Sequence, residues 1–160
     1  ATSAAVALLG AGNLAGRAGG GWLSDRLGRL PGLRAATATL ALACVSLTVA
    51  AGTGAVLAAL ILAGAGYGVQ SALVPALTAD LFGTERFAAN YGQVFTGWGV
   101  AGLLGPQVGA WLGDASGGFA AALWWGTGSA ALALAVYLAL PRVGQVRGRP
   151  GTDADRPARA

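Results

Sequence analysis

Five long runs of mostly apolar residues follow one another along the chain, at roughly 1–21, 33–51, 55–78, 91–112 and 119–140. Each is close to the ~20 apolar residues that an α-helix needs to cross the hydrocarbon core of a bilayer. The connections are short, so neighbours in sequence should be antiparallel neighbours in space. The fold class predicted is all-α membrane protein, with 1–140 forming a bundle of five transmembrane helices.

Polar residues between the runs sort by side. The first connection, 22–32, carries Asp25, Arg26 and Arg29, with Arg34 just beyond. The third, 79–90, carries Asp80, Glu85 and Arg86, and the stretch after Pro141 carries five more arginines. These three places share one side if all five runs cross. The other two turns, Gly52–Gly54 and Gly113–Gly118, hold no arginine and one acid, Asp114. By the positive-inside rule the arginine side is cytoplasmic. The expectation is a multi-pass protein of the plasma (inner) membrane with a cytoplasmic C-terminus. Phe119 and Trp124 near one end of the last run, and Tyr137 near the other, fit interfacial aromatic belts. Residues 141–160, rich in Arg, Pro, Gly, Asp and Ala, cannot bury a core and read as a disordered cytoplasmic tail that anchors the topology.

Composition strengthens this picture. Apolar residues make up 55% of the chain and charged residues 10%, against about 25% in a soluble domain. The 28 glycines lie largely inside apolar runs, where small residues let membrane helices approach closely. Three stripes stand out: Gly12, Gly16 and Gly20; Gly64 and Gly68 continued by Ala72 and Ala76; and Gly105, Gly109 and Gly113. Pro75 and Pro106 each remove a backbone hydrogen bond and predict kinks. The net charge of +4 comes from arginine alone. Those arginines fall between and after the apolar runs, so the partner they indicate is the lipid bilayer, not nucleic acid.

Several chemistries are excluded. Without histidine there is no His-based triad or His metal site. Cys44 is a single cysteine, so no disulfide or zinc framework forms within the chain. The acids sit on separate loops. Gly19-Gly20-Gly21 lacks the Lys-Ser/Thr of a phosphate loop. The expectation is a protein with no catalytic residue, no metal and no cofactor, and not an enzyme. The chain has no methionine and reads as part of a longer one. No charged region precedes the first run, which reads as a span and not as a signal peptide.

One charge falls within an apolar run. Arg17 lies about a turn from the cytoplasmic end of the first. A charge there is costly, and its planar fork matches a carboxylate. Asn13 lies one turn away on the same face. Tyr67, Gln70, Ser71 and Thr78 fall near one face of the third run, and Tyr91, Phe95 and Trp98 follow i, i+4, i+7 in the fourth. The candidate substrate-binding residues are Arg17, Asn13, Tyr67, Gln70, Tyr91 and Trp98. Snorkelling by Arg17 and simple packing by the aromatics are the competing explanations.

The stretch Gly21-x-Leu23-x-Asp25-Arg26-x-Gly28-Arg29 resembles the signature loop of the major facilitator superfamily, with Leu30 where a further basic residue is usual. That loop occurs between the second and third helices and, in weaker form, between the eighth and ninth. The second copy would make these spans helices eight to twelve of a twelve-helix carrier, with the N-terminal half supplied from outside this chain. Gly21, Asp25, Arg26, Gly28 and Arg29 would then latch the cytoplasmic face. Asp25 would accept from helix N-terminal amides, Arg26 and Arg29 would pair with carboxylates or C-terminal carbonyls, and Gly28 would allow the tight turn.

A closer resemblance runs over most of residues 10–112. Arg17-x-x-x-Gly21-x-x-x-Asp25, Asn90-Tyr91-Gly92, and Phe95-Thr96-Gly97-Trp98-Gly99 with Pro106 are similar to the oxalate:formate antiporter and monocarboxylate carrier families. The resemblance implies secondary transport of a small organic anion by alternating access, as antiport or symport, with Arg17 on the anion. The oxalate carrier has a lysine before its Asn-Tyr-Gly. Here that position is Ala89, which favours a monocarboxylate over oxalate. The alternatives are a facilitator carrier for drugs or sugars, and a non-transporting membrane scaffold or remnant.

Overall fold

The structure is a computed structural model that describes residues 2–140. Five helices follow in order: α1 (Thr2–Leu27), α2 (Arg29–Val49), α3 (Thr53–Phe82), α4 (Phe87–Ser116) and α5 (Ala120–Ala139). No strand occurs among the described residues. The stretch 141–160, expected as a disordered tail, lies outside them.

The helices run further than the apolar runs. α3 and α4 each have 30 residues, about 45 Å at 1.5 Å per residue, against a hydrocarbon core of about 30 Å. Three helices, α2, α3 and α5, are long and apolar enough to cross a membrane by length and composition. α1 and α4 have the length but are diluted by glycine and by residues such as Asn13, Arg17, Gln93 and Gln107.

The breaks between helices are glycine breaks. Gly28, Gly52, Gly83 and Gly117 have φ of 95°, 89°, 78° and 69°, one in each connection. A side chain at these angles would clash with the backbone. The first break is Gly28 alone. Pro31 follows in the first turn of α2, where its missing N–H leaves no helical bond unmade. α4 ends with Gly117 left-handed and the Gly118 N–H on the Gly113 carbonyl at 3.0 Å, a Schellman-type closure.

α1 packs along α3, and α2 fills the angle between α3 and α5. The buried residues concentrate on α2 and α3, with Leu33 and Leu73 the largest apolar ones. α4 flanks α3 and α5 and buries none of its residues. Leu14, Leu103, Trp111 and Leu132 lie exposed, which suits lipid or another helix, not water.

Two of the expected glycine stripes meet each other. A Cβ added at Gly12 or Gly16 would run into the Ile61 or Ala65 carbonyl oxygen. One added at Gly64 or Gly68 would run into the Leu9 or Asn13 carbonyl. α1 and α3 therefore touch backbone to backbone. The third stripe is different: Gly105 and Gly109 have nothing within 4 Å of an added Cβ. Pro75 and Pro106 lie within unbroken α3 and α4.

Candidate functional site

Two clusters of polar and aromatic side chains emerge. The first lies at the arginine end, where α1 and α3 finish and α2 begins. Arg29 leaves the first turn of α2 and turns back toward α1. Its Nη1 donates to Ser24 Oγ at 2.6 Å and to Asp25 Oδ1 at 2.7 Å. Its Nε donates to Asp80 Oδ2, at the end of α3, at 3.4 Å. One guanidinium thus ties three helices at their shared end. Ser24 is buried, and its hydroxyl donates to the Gly21 carbonyl at 3.1 Å.

This differs in detail from the sequence expectation. Asp25 accepts from the Arg29 side chain, not from helix amides. Arg26 pairs with no carboxylate among the described residues. Its guanidinium carbon lies 4.1 Å from the centroid of the Trp22 ring, a cation–π arrangement one turn back on the same helix. Gly28 makes the turn.

Sequence reasoning gave Arg34 only a topological role. Its Nε donates to the Tyr137 carbonyl at 2.9 Å. Its Nη2 donates to the Leu138 and Leu140 carbonyls at 3.4 and 3.0 Å. The last carbonyls of a helix have no intrahelical donor and carry the negative end of its dipole. Arg34 satisfies both needs for α5. Replacing it with alanine is expected to cost about 2 kcal/mol and to fray α5 first. Arg34→Lys should recover only part, because an ammonium cannot span several carbonyls as a fork does. Thermal unfolding in detergent checks this.

The second cluster is a cavity of about 270 Å³ between α3, α4 and α5. It gathers four of the six candidate binding residues: Tyr67 and Gln70 from α3, Tyr91 and Trp98 from α4. Ser71, Phe95 and Tyr137 add to the wall. The aromatic spacing on α4 makes a ladder that begins one turn earlier than expected. Phe87 and Tyr91 stack at 5.3 Å between centroids. Tyr91 meets Phe95 at 5.7 Å, and Phe95 meets the Trp98 edge at 5.1 Å. Trp98 stacks on Tyr67 of α3 at 5.6 Å. These rings pack on one another and line the cavity at once. Tyr137, expected in an interfacial belt, is half-buried against this space.

Gln70 also reaches away from the cavity. Its Nε2 donates to Thr37 Oγ1 of α2 at 2.8 Å. Thr37 is fully buried and donates in turn to the Leu33 carbonyl at 2.8 Å.

Arg17 and Asn13 are not in that wall. They lie on α1, where the Arg17 Nε donates to Asn13 Oδ1 at 3.1 Å. Arg17 is exposed, and its two terminal nitrogens have no partner among the described residues. Its backbone abuts α3 at Gly68, next to Tyr67, where an added Cβ would come within 3.0 Å of the Arg17 nitrogen. No group of His, Cys, Asp or Glu among the described residues could hold a metal ion.

The cavity, the guanidinium on an exposed helix face and the charged tie at one end suit solute binding and conformational control. No curated protein and no solved structure matches the chain. The family model of the Major Facilitator Superfamily matches residues 1–160. With that match over its whole length, and with five helices of which three are long and apolar enough to cross a membrane, the chain belongs to the Major Facilitator Superfamily, a family of membrane transporters.

Proposed function

We propose that this chain forms helices eight to twelve of a twelve-helix secondary carrier that moves a small organic anion, a monocarboxylate, by alternating access. The remaining helices, including the N-terminal half, would come from the rest of the same carrier, and the substrate would bind between the halves. The arginine end would face the cytoplasm of a cell whose plasma membrane holds the carrier. A solute gradient or exchange would drive it.

The observation that carries the proposal is the state of Arg17. A guanidinium has two bidentate edges, one formed by Nε with a terminal nitrogen and one formed by both terminal nitrogens. Asn13 occupies Nε. That fixes the plane of the fork and leaves the terminal edge for a carboxylate. A charge held this way on an apolar helix is expensive unless an anion visits it. The cavity volume lies at the small end of ligand pockets, which suits a solute of few atoms. Ala89 offers no second cation on α4, which favours one carboxylate over two.

The test is uptake by liposomes holding the full-length carrier. Labelled acetate or propionate should enter, and a labelled sugar and a lipophilic cation should not. Uptake of the sugar or the cation in place of the carboxylates would move the protein to another substrate class. Transport of none by a well-folded carrier would favour a scaffold.

A further inference from the structure

We propose that the groove where α1, α2 and α3 meet near the arginine end seats an acyl chain of an anionic phospholipid, and that Arg26, held on the Trp22 ring at its mouth, binds the headgroup phosphate. This goes beyond the transport proposal above and does not depend on which solute is carried.

The groove has a volume of about 480 Å³. Trp22 and Leu23 of α1 and Gly32 of α2 line it at the arginine end, and Ala15 and Thr39 line it deeper in the bundle. From Ala15 to Leu23 is about 12 Å along the helix at 1.5 Å per residue. Underneath, the groove is closed by α3. A Cβ added at Gly16 would run into the Ala65 carbonyl, and one added at Gly20 would come within 2.7 Å of the Val69 side chain. On the outer side it is open, since Ala15, Gly19, Leu23 and Ala35 are exposed. Thr39 gives it a hydroxyl, but that hydroxyl already donates to the Ala35 carbonyl at 2.9 Å. The rest of the lining is Gly, Ala, Val, Leu and the Trp22 ring. Such a wall asks for no hydrogen bond and suits hydrocarbon.

The mouth carries a charge. The Arg26 guanidinium carbon lies 4.1 Å from the centroid of the Trp22 ring, and Trp22 is 58% exposed. A guanidinium attracted to an aromatic ring keeps its N–H donors for another partner. The neighbouring acids do not take them. Asp25 and Asp80 both turn to Arg29, at 2.7 and 3.4 Å. Arg34 is engaged by the last carbonyls of α5. Arg26 is thus the arginine at this end of α1 and α2 whose charge meets no acid and no carbonyl among the described residues. Leu23 and Leu27 are exposed on the same helix end, which places the guanidinium where hydrocarbon gives way to headgroups.

An apolar slot with a cation at its mouth complements one kind of molecule, an anionic head on a hydrocarbon tail. A phosphodiester can accept from two guanidinium nitrogens at once. A zwitterionic headgroup brings its own cation to its phosphate, so a lipid of net negative charge answers Arg26 better. A soluble anion would leave the groove unfilled.

The experiment titrates the full-length carrier, in a neutral detergent, with phosphatidylglycerol or phosphatidylcholine carrying bromine on the acyl chains. Bromine quenches tryptophan on contact, and Trp22 is isolated as the difference between each protein and the same protein with Trp22→Phe. Trp22 should be half-quenched at about fivefold less phosphatidylglycerol than phosphatidylcholine, the effect of one arginine near an anionic headgroup. In Arg26→Gln the two lipids should quench alike, at the weaker level, and Arg26→Lys should keep part of the preference. Gly19→Leu puts a side chain into the groove from a position where an added Cβ meets nothing within 4 Å. It should weaken quenching by both lipids several-fold and leave the headgroup preference. Equal quenching by the two lipids in the wild type, a preference that survives Arg26→Gln, or no effect of Gly19→Leu would overturn the inference. A Trp22 that neither lipid quenches would mean that another helix of the carrier fills the groove, and would overturn it as well.

Discussion

A methyl group added at Gly16 is expected to destabilise the bundle by about 2–3 kcal/mol, and a leucine there to prevent α1 from seating on α3. The reason is the nature of the neighbour. A Cβ at Gly16 would meet the Ala65 carbonyl oxygen and lie 2.9 Å from two further Ala65 backbone atoms. Backbone inside a helix cannot swing aside as a side-chain tip can. The contact is reciprocal, because a Cβ at Gly68 would meet the Asn13 carbonyl and come within 3.0 Å of the Arg17 nitrogen. In lipid no hydrophobic driving force holds two helices together, so close packing must. Gly19 lies on the same helix with nothing within 4 Å of an added Cβ. Gly19→Ala should therefore be neutral or slightly stabilising, since alanine is the better helix former. Thermal unfolding of the detergent-solubilised carrier, measured for both variants, separates the two positions. Equal midpoints would mean that α1 and α3 are not in backbone contact.

The second large effect is expected at Arg17. Arg17→Gln removes the charge and the fork together, and uptake of a monocarboxylate should fall about a hundredfold or more. Arg17→Lys keeps the charge but loses the planar bidentate edge, so it should retain part of the activity with a raised KM. Asn13→Ala should act more mildly in the same direction, because it frees the Nε that Asn13 now holds at 3.1 Å. Protein amount and unfolding temperature should hardly change in any of the three, since Arg17 is exposed and its side chain bonds only Asn13, one turn away on the same helix, among the described residues. If Arg17 only snorkelled to headgroups, Lys would serve as well as Arg, and Gln would alter folding more than uptake.

Much of the architecture could be read from the chain, for reasons that particular residues make plain. Apolar runs locate where a helix crosses hydrocarbon, and all five runs lie within observed helices apart from their ends. They do not locate where a helix stops. The stretch 22–32 was expected as a connection because it is polar. Yet Trp22–Leu27 continues α1 and Arg29 already begins α2. Only Gly28, with its positive φ, interrupts the chain. Polarity marks the water side, whereas backbone geometry marks the break.

The glycine stripes were legible as a pattern but not as contacts. Gly12 and Gly16 meet α3, while Gly105 and Gly109, at the same spacing, face open space. A period of four says that a helix has a small-residue face. It does not say which face finds a partner.

The candidate site divides in the same way. Tyr67, Gln70, Tyr91 and Trp98 share a cavity wall, and helical spacing alone had put each pair on one face. Arg17 and Asn13 meet because they are four residues apart. What escaped was every long-range pairing. Asp80 reaches Arg29 across 51 positions. Arg34 reaches α5 across more than a hundred. Thr37 joins Gln70 across 33. No local signal announces such pairs. Thr37 shares α2 with Thr39 and Thr48, and nothing in the sequence singles it out as the partner of Gln70.

Counterflow tests the central claim most directly. Liposomes holding the full-length carrier are loaded with unlabelled propionate and diluted into a trace of labelled propionate. A carrier that alternates between two faces should accumulate label transiently above its equilibrium level and then release it. The overshoot should be present in the wild type and absent in Arg17→Gln. Label that rises smoothly to equilibrium would indicate a pore, and label that never enters would indicate a scaffold. Either result would contradict an anion carrier working through Arg17.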